Sequence, residues 1–278
     1  MKNPVLLVSC ADQRGLVHAV TGVLLRAGFN IVSNQEFVDG ESRRFFMRTE
    51  FEGAPNCGQL EAEIRGTLPA EAQVQARLPT RRRVVILVSK EHHCLADLLV
   101  RHAYDELRAQ VVAVAGNHQT LRPLVEKFGV PFFHVDSAGC SRQGHEAELL
   151  GLLDRFKPDL LVLAKYMRVL SPAFVARWPN RMLNIHHSFL PAFAGAKPYH
   201  QAFHRGVKVI GATAHFVTDQ LDEGPILVQQ VIPVDHTYGP HELAQAGRDV
   251  EKIVLARALR LVLEERVFLC GKRTIIFE

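Results

Sequence analysis

The period of the apolar positions changes near residue 80. Before it, short strand-like runs and short helical stripes follow one another. Pro4 to Cys10 is an apolar run of strand length, and Asp12 to Gly15 is turn chemistry, with Gly15 opening a helix. Leu16, Val20, Val23, Leu24 and Ala27 recur at helical spacing, and Gly28 stands where that helix should end. Asn30 to Val38 and Arg43 to Phe51 read as two strands joined through Asp39-Gly40. Leu60 to Gly66 suits a second helix and Ala72 to Leu78 a fourth strand. This β-α-β-β-α-β order predicts two helices on one face of a four-stranded antiparallel sheet, the ferredoxin-like plan.

After Pro79 to Arg83 the pattern becomes an alternation of buried strands and helices. Strands are expected at Val84 to Ser89, Val111 to Ala115, Pro131 to His134 and Asp159 to Ala164, with helices at 94–108, 120–128 and 145–156. Continuous apolar strands separated by helices predict a Rossmann-like, mostly parallel sheet, whose ligands lie at the carboxyl ends of its strands. A long amphipathic helix over Gly247 to Arg266 and a strand at Thr274 to Phe277 complete the chain. The α/β chain thus divides into units 1–80 and 84–278, with Arg81-Arg82-Arg83 read as a solvated linker.

Composition narrows the function classes. Of the 278 residues, 47% are hydrophobic and 22% charged, which suits a globular chain and excludes a disordered one. The longest apolar runs, Val84 to Val88 and Leu160 to Ala164, are far short of the roughly 20 residues that span a bilayer. The net charge of +4, from 33 basic and 29 acidic residues, is too balanced for a nucleic-acid partner and suits an anionic small substrate. Cys10, Cys57, Cys94, Cys140 and Cys270 form no CxxC pair, and the N-terminus leads directly into a strand. A reducing, cytoplasmic setting is the expectation. No GxGxxG follows any expected strand, which counts against a redox dehydrogenase.

The densest polar cluster runs from Asn184 to Asp222. Asn184 and His186 are two apart, so an extended chain turns both to one face, just past an expected strand. An amide N–H stabilises an oxyanion, and an imidazole moves a proton. Gly211 to Pro225 reads as a strand that ends in a turn carrying Asp219, Asp222 and Glu223, shaped by Gly224-Pro225. Asn, His and Asp from two strand ends suffice for acyl transfer without a protein nucleophile. The same residue types also fit a structural role: Asn184 in a turn, His186 in a core, and the aspartates bracing a loop.

Residues 84–278 resemble the formyltransferase-fold enzymes of folate metabolism. Asn184-x-His186 with Ser188-x-Leu190-Pro191 carries the resemblance, together with His215-Phe216-Val217-Thr218-Asp219-x-Leu221-Asp222-x-Gly224-Pro225. It implies that Asn184, His186 and Asp222 are catalytic. It sets Tyr166, Met167, Arg168, Val169 and Leu170 along a pterin pocket, and makes His215 to Asp222, Asp219 included, the loop that closes over the same ring. In family members that formylate glycinamide ribonucleotide, the first strand runs into a Gly- and Ser-rich loop that cradles phosphate on backbone N–H groups. Here Ser89 to Leu99 has no glycine and carries Glu91, so that cradle is missing and water is the expected acceptor. The whole chain resembles the branch of the family that hydrolyses 10-formyltetrahydrofolate, the formyltetrahydrofolate deformylases. The residues are His93-Cys94-Leu95-x-Asp97-Leu98-Leu99, His186 to Phe193 and Gly211 to His215. At the N-terminus, Asp12-x-Arg14-Gly15-Leu16-Val17 resembles the first loop of an ACT domain. Lys165 stands where the resemblance leads one to expect Arg.

The resemblance implies hydrolysis of 10-formyltetrahydrofolate to tetrahydrofolate and formate, feeding one-carbon and purine metabolism. Asp222 would polarise the water directly or through His186, while Asn184 and a protonated His186 would stabilise the oxyanion. His187 either holds the hydrolytic water and shapes the pocket or only braces its loop. The competing readings are a formyltransferase with an amine acceptor and a non-catalytic amino-acid sensor. No bound cofactor is implied beyond the folate substrate, and no metal: His200 and His204 lie four apart on an expected helix but lack a third ligand. Cys94 is read as a packing residue. Asp12, Gly15 and Asn30 are candidates to hold an amino-acid effector, and the N-terminal unit is expected to support a homo-oligomer, a dimer or tetramer.

Overall fold

The computed structural model describes residues 3–191 and 198–278; Ala192 and Phe193 of the resemblance motif therefore lie outside the described residues. The chain forms two compact units, one of residues up to Thr80 together with Glu264–Glu278, the other of Arg81–Leu263. In the first unit, β1 (Val5–Ala11), α1 (Leu16–Arg26), β2 (Asn30–Asp39), β3 (Arg44–Glu52), α2 (Cys57–Arg65) and β4 (Gln73–Arg77) follow the expected order. The sheet is antiparallel in the order β2-β3-β1-β4. Gly15 precedes α1 at φ 88, a left-handed turn open to glycine without a Cβ clash. Leu6, Val8, Phe45 and Met47 face the helices in one core with Leu16, Val20, Leu60 and Ile64.

The second unit runs β5 (Arg82–Val88), α3 (His93–Ala103), β6 (Ala109–Gly116), α4 (Arg122–Glu126), β7 (Phe132–His134), α5 (Arg142–Phe156) and β8 (Leu160–Ala164). It continues through α6 (Pro172–Ala176), β9 (Met182–His186), α7 (Pro198–Arg205), β10 (Val209–Phe216), β11 (Ile226–Pro233) and α8 (Pro240–Leu263). Its sheet has seven strands in the order β11-β10-β9-β8-β5-β6-β7. The strands from β9 to β7 are parallel, and β10 and β11 add an antiparallel edge. Val84 to Val88 and Leu160 to Ala164 are buried on both faces, which is why they read as unbroken apolar runs. Strand order reverses between β5 and β8, and the Met167 N–H donates to Ser89 Oγ (2.9 Å) across that point. Among the described residues, no helix is long and apolar enough to cross a membrane.

Three expectations change. The run Arg81-Arg82-Arg83 is not a solvated linker. Arg82 opens β5, Arg83 donates from Nε and Nη2 to the Phe156 carbonyl (3.1 and 2.7 Å), and Arg81 meets Asp105 at 2.7 Å. The last helix begins at Pro240, not Gly247, with proline at the position where its missing N–H costs nothing. Gly247 lies inside it because a Cβ there would sit 2.0 Å from the Tyr199 hydroxyl.

The third concerns the chain's end. Residues 264–278 belong with the first unit rather than with 84–263. They form a hairpin of β12 (Val267–Cys270) and β13 (Arg273–Ile276), of which the sequence pattern showed only the second strand. Phe46 alternates with Phe45 and Met47 on β3, so it faces away from the helices, and it packs there with Phe268, Cys270 and Phe277. Arg48 on the same face donates to the carbonyls of Glu265 (3.0 Å) and Glu264 (3.2 Å). The hairpin thereby covers β3 on the face opposite the helices.

Candidate active site

Antiparallel pairing of β9 with β10 sets His215 opposite Asn184 and Thr213 opposite His186. The cross-strand neighbours touch: the Asn184 Nδ2–H donates to His215 Nε2 at 3.2 Å. His215 Nδ1–H donates to the Phe216 carbonyl at 2.8 Å, which leaves Nε2 as the acceptor. His215, 2% exposed, is thus part of the polar cluster itself rather than only of a loop over the substrate ring. His186 Nδ1–H donates to Asp222 Oδ2 at 3.2 Å, and His215 Nε2 lies 3.6 Å from Asp222 Oδ1. His186 Nε2 is buried and has no hydrogen-bond partner among the described residues. The His186 hydrogen bond and the adjacent His215 hold the Asp222 carboxyl well below the ordinary carboxylate range, against the opposing effect of burial.

Asp222 reaches this position from a turn with left-handed backbone, φ 57, a conformation that Asp tolerates better than most residues. The turn is closed by the Phe216 N–H on the Pro225 carbonyl (2.9 Å). A Cβ on Gly224 would lie 1.7 Å from the Phe216 carbonyl oxygen. Gly224→Ala must therefore push the turn off β10 and carry Asp222 away from His186. A displacement near 1 Å should lower kcat by about 100-fold, measured beside the melting temperature; unchanged turnover would mean that the turn adapts without moving Asp222. Asp219 is exposed on the same turn.

The residues expected to hold the ring surround a cavity. Arg142, His145, Glu146, Met167, Arg168, Val169 and Leu170 line a space of about 280 Å³. Tyr166 lies behind it, buried, and donates its hydroxyl to His145 Nε2 (2.6 Å), whose Nδ1–H is held by the Asp136 carbonyl (2.9 Å). Burial raises the Tyr166 phenol, so it stays protonated and donates. The Ser171 N–H (2.7 Å) and hydroxyl both bind the Glu146 carboxylate and fix the end of the 166–171 stretch. Arg142, His145 and Glu146 were not among the expected site residues.

The formyl transferase family model matches residues 82–259, and the ACT domain model matches residues 4–66. Formyltetrahydrofolate deformylase of Escherichia coli (strain K12) is 54% identical over 276 residues, 99% of this chain and 99% of that protein. The chain belongs to the formyltetrahydrofolate deformylase family. A crystal structure of formyltetrahydrofolate deformylase from Burkholderia mallei ATCC 23344 superposes with a TM-score of 0.93 at 45% identity, over 100% of both chains. Glycinamide ribonucleotide transformylase 1 from Symbiobacterium toebii matches with a TM-score of 0.69 at 32% identity, over 73% of this chain and 97% of its own. The fold is accordingly an N-terminal ACT domain followed by a formyltransferase domain.

The deformylase site has a second buried polar cluster in the same unit, which the sequence did not announce. Glu251 on α8, 1% exposed, accepts the Tyr199 hydroxyl on Oε1 (2.6 Å). Its Oε2 meets His93 Nε2–H (2.8 Å) and the Lys165 ammonium (3.1 Å). Burial alone would raise this carboxyl; the His93 bond, the Lys165 charge and the Tyr199 bond outweigh it and hold the group at about 2. Lys165 therefore has a buried acidic partner at the position where Arg was expected. Among the described residues, His93, Cys94 and Glu251 form the one cluster of three metal-ligating types, with ligand atoms within 4.8 Å of one another. The Lys165 ammonium already stands beside that carboxylate as its cation. Cys94 is fully buried, and burial followed by the Glu251 charge pushes its thiol well up, so it packs rather than reacts. Glu91 pairs with Arg248 (3.3 Å) and lies 3.5 Å from His93 Nδ1, an acid where a phosphate loop would present N–H groups. His200 and His204 lie exposed on α7.

His187 joins the two clusters. Its ring stacks on His186 (centroids 4.9 Å, 16° between planes) and tilts on Tyr199 at 6.3 Å. Burial first, then Lys165 and His186, push its pKa down to about 4, so the imidazole is neutral at pH 7. In the ACT domain, Asp12 is exposed after β1, Gly15 precedes α1, and Asn30 opens β2 with its amide on Glu52 (3.2 Å).

Proposed function

We propose that this chain hydrolyses 10-formyltetrahydrofolate to tetrahydrofolate and formate, with water as the formyl acceptor, and returns both products to one-carbon and purine metabolism. The observation that carries the reading is His186: Nδ1–H is committed to Asp222, and Nε2 is buried and unpartnered beside Asn184. Asp222 fixes the tautomer that leaves Nε2 a base. Nε2 takes a proton from water as the water oxygen bonds to the formyl carbon. The second N–H of the Asn184 amide supports the oxyanion, an interaction typically worth about 3 kcal/mol. The C–N bond then breaks, and the proton on His186 passes to the departing folate nitrogen. The pterin lies in the 166–170 cavity, whose exposed Met167 and Val169 offer apolar surface to a flat ring.

The acidic Glu91 opposes a phosphorylated amine, and this favours water over transfer. The deciding experiment is turnover in H₂¹⁸O without any amine. Equal release of tetrahydrofolate and of formate carrying one ¹⁸O is expected, unchanged by added glycinamide ribonucleotide. Turnover that requires the amine would make the chain a transferase.

The same proposal includes a homo-oligomer, dimer or tetramer, built through the ACT domain, whose edge strand β2 exposes Val32, Phe37 and Val38. It includes an amino-acid effector near Asp12, Gly15 and Asn30, and a reducing cytoplasmic setting, in keeping with five free cysteines.

A further inference from the structure

His186 and His187 are two stacked imidazoles with opposite electrostatic company. His186 faces the Asp222 carboxylate. His187 packs on Tyr199, whose hydroxyl binds the same Glu251 carboxylate that holds the Lys165 ammonium, and Lys165, His186, Asp222 and Glu251 are the charged or titratable groups that act on it. Lys165 is an improbable residue on structural grounds alone. It follows β8 at φ 61, a left-handed backbone that is strained for a residue with a Cβ. Its charge is buried, 8% exposed, and is held by a glutamate that is 1% exposed. A buried ion pair of this kind is often no more stabilising than an apolar pair of the same volume. Strain and charge burial at one residue, beside the reacting groups, point to a functional constraint.

We propose that Lys165, held by a Glu251 that His93 and Tyr199 fix in turn, is a positioning residue that keeps His187 an uncharged hydrogen-bond acceptor, so that the proton taken from the attacking water goes to His186 alone. Two stacked rings of equal basicity would share that proton, and a shared proton would leave no ring free to orient water. The buried ammonium breaks the symmetry. Neutral His187 accepts one N–H or O–H hydrogen bond on its unprotonated nitrogen and so orients the water, while His186 Nε2 removes the other proton. Environments that drive apart two like groups are how a site assigns acid and base roles. Lys165 touches neither folate nor water in this scheme; it acts through His187. The inference rests on the hydrolytic reading above.

The test combines a titration independent of turnover with a kinetic cycle. Lys165→Met/Glu251→Gln removes both charges, while the amide that replaces the carboxylate still serves Tyr199 and His93. NMR of labelled histidine should show His187 neutral down to about pH 4 in the wild type. In Lys165→Gln its midpoint should rise by about one unit, the scale set by loss of one nearby charge, and in the double variant by less, because the lost Glu251 charge had raised it while the lost Lys165 charge had lowered it more. The acid limb of kcat should move up with it, lowering kcat at pH 4 by about fivefold in Lys165→Gln, with KM for 10-formyltetrahydrofolate unchanged. Lys165→Arg, which restores the charge, should restore the profile. In a His187→Gln background the double variant should change kcat no further. An unmoved His187 titration, or an equal loss of kcat in the His187→Gln background, would overturn the proposal. If the double variant does not fold, Lys165→Gln alone, which keeps a hydrogen bond to Glu251, carries the same readouts. A wild type that releases no formate would sink the hydrolytic reading, while the titration would still decide whether Lys165 controls His187.

Discussion

Asp222→Asn lowers kcat by about 1,000-fold, within the range general acid–base groups supply, and leaves KM for the folate and the melting temperature close to wild type. The reason is the tautomer. Asp222 Oδ2 accepts the His186 Nδ1–H at 3.2 Å, so Nε2 carries the lone pair. An asparagine amide N–H facing Nδ1 reverses this and places the proton on Nε2, where the base should be. If the amide oxygen faces Nδ1 instead, the tautomer survives but the charge that stabilises a protonated imidazole is gone. The carboxyl of Asp222 lies well below the ordinary range, chiefly through the His186 bond, so it remains a carboxylate as pH falls. An acid limb in kcat therefore belongs to a histidine, and in Asp222→Asn that limb should move together with the loss of rate. Single-turnover kinetics separate the chemical step from product release. A kcat within tenfold of wild type in a well-folded Asp222→Asn protein would remove Asp222 from the mechanism.

Glu251→Leu is expected to destabilise the chain by about 3–5 kcal/mol, the usual cost of leaving a buried charge without its partner. Lys165, His93 and Tyr199 all lose their shared acceptor, and the Lys165 and His93 side chains are buried. For a unit of this size, the melting temperature should fall by roughly 10 °C. Lys165→Met added to Glu251→Leu should return part of the loss, because the orphaned ammonium is then gone. Acid has a related effect. The folded Glu251 value, about 2, lies below its ordinary 4.5, so its stabilisation is complete above about pH 4.5 and is lost as pH falls towards 2. His187 acts in a higher window. Its folded value of about 4 against an ordinary 6.5 means the unfolded chain holds a proton that the folded one refuses, so stability already declines from about pH 6.5 downward. Chemical denaturation of wild type and Glu251→Leu between pH 7 and pH 3 would test both windows. A Glu251→Leu protein as stable as wild type at pH 7 would mean that the cluster is not closed to water.

Local signals carried much of this architecture. Asn184 and His186 stand out because a strand has a period of two, and the Gly224-Pro225 turn singles out Asp222. The β-α-β-β-α-β order and the parallel strands follow from apolar period alone. What stayed hidden is non-local. His215 reached the site through a strand register, which no local spacing encodes. Glu251 meets His93 across 158 residues and Tyr199 across 52. One signal did exist: Glu251 falls on the buried stripe of α8 between Val250 and Val254, four residues before Leu255. A carboxylate there requires partners. The β12–β13 hairpin was missed for a different reason. A helix expected to run to Arg266 ends just before β12, whose four residues are too short a run to show a period, although Gly271, at φ 61, marks the turn after it.

Asn184 and His215 are anchored on paired strands, each with a neighbour on both sides in a seven-stranded sheet, whereas Asp222 stands on a turn tied by few backbone bonds. The site therefore joins two clocks. Backbone amides at 184–186 and 213–216 become open to solvent only when the sheet itself comes apart, the slowest event available to the domain. Those at 218–225 open with the turn alone, a local event that needs far less free energy than parting the sheet. The oxyanion donor keeps time with the slow clock and the Asp222 carboxylate with the fast one. Each closure of the turn re-forms the His186–Asp222 contact against a partner that has not moved.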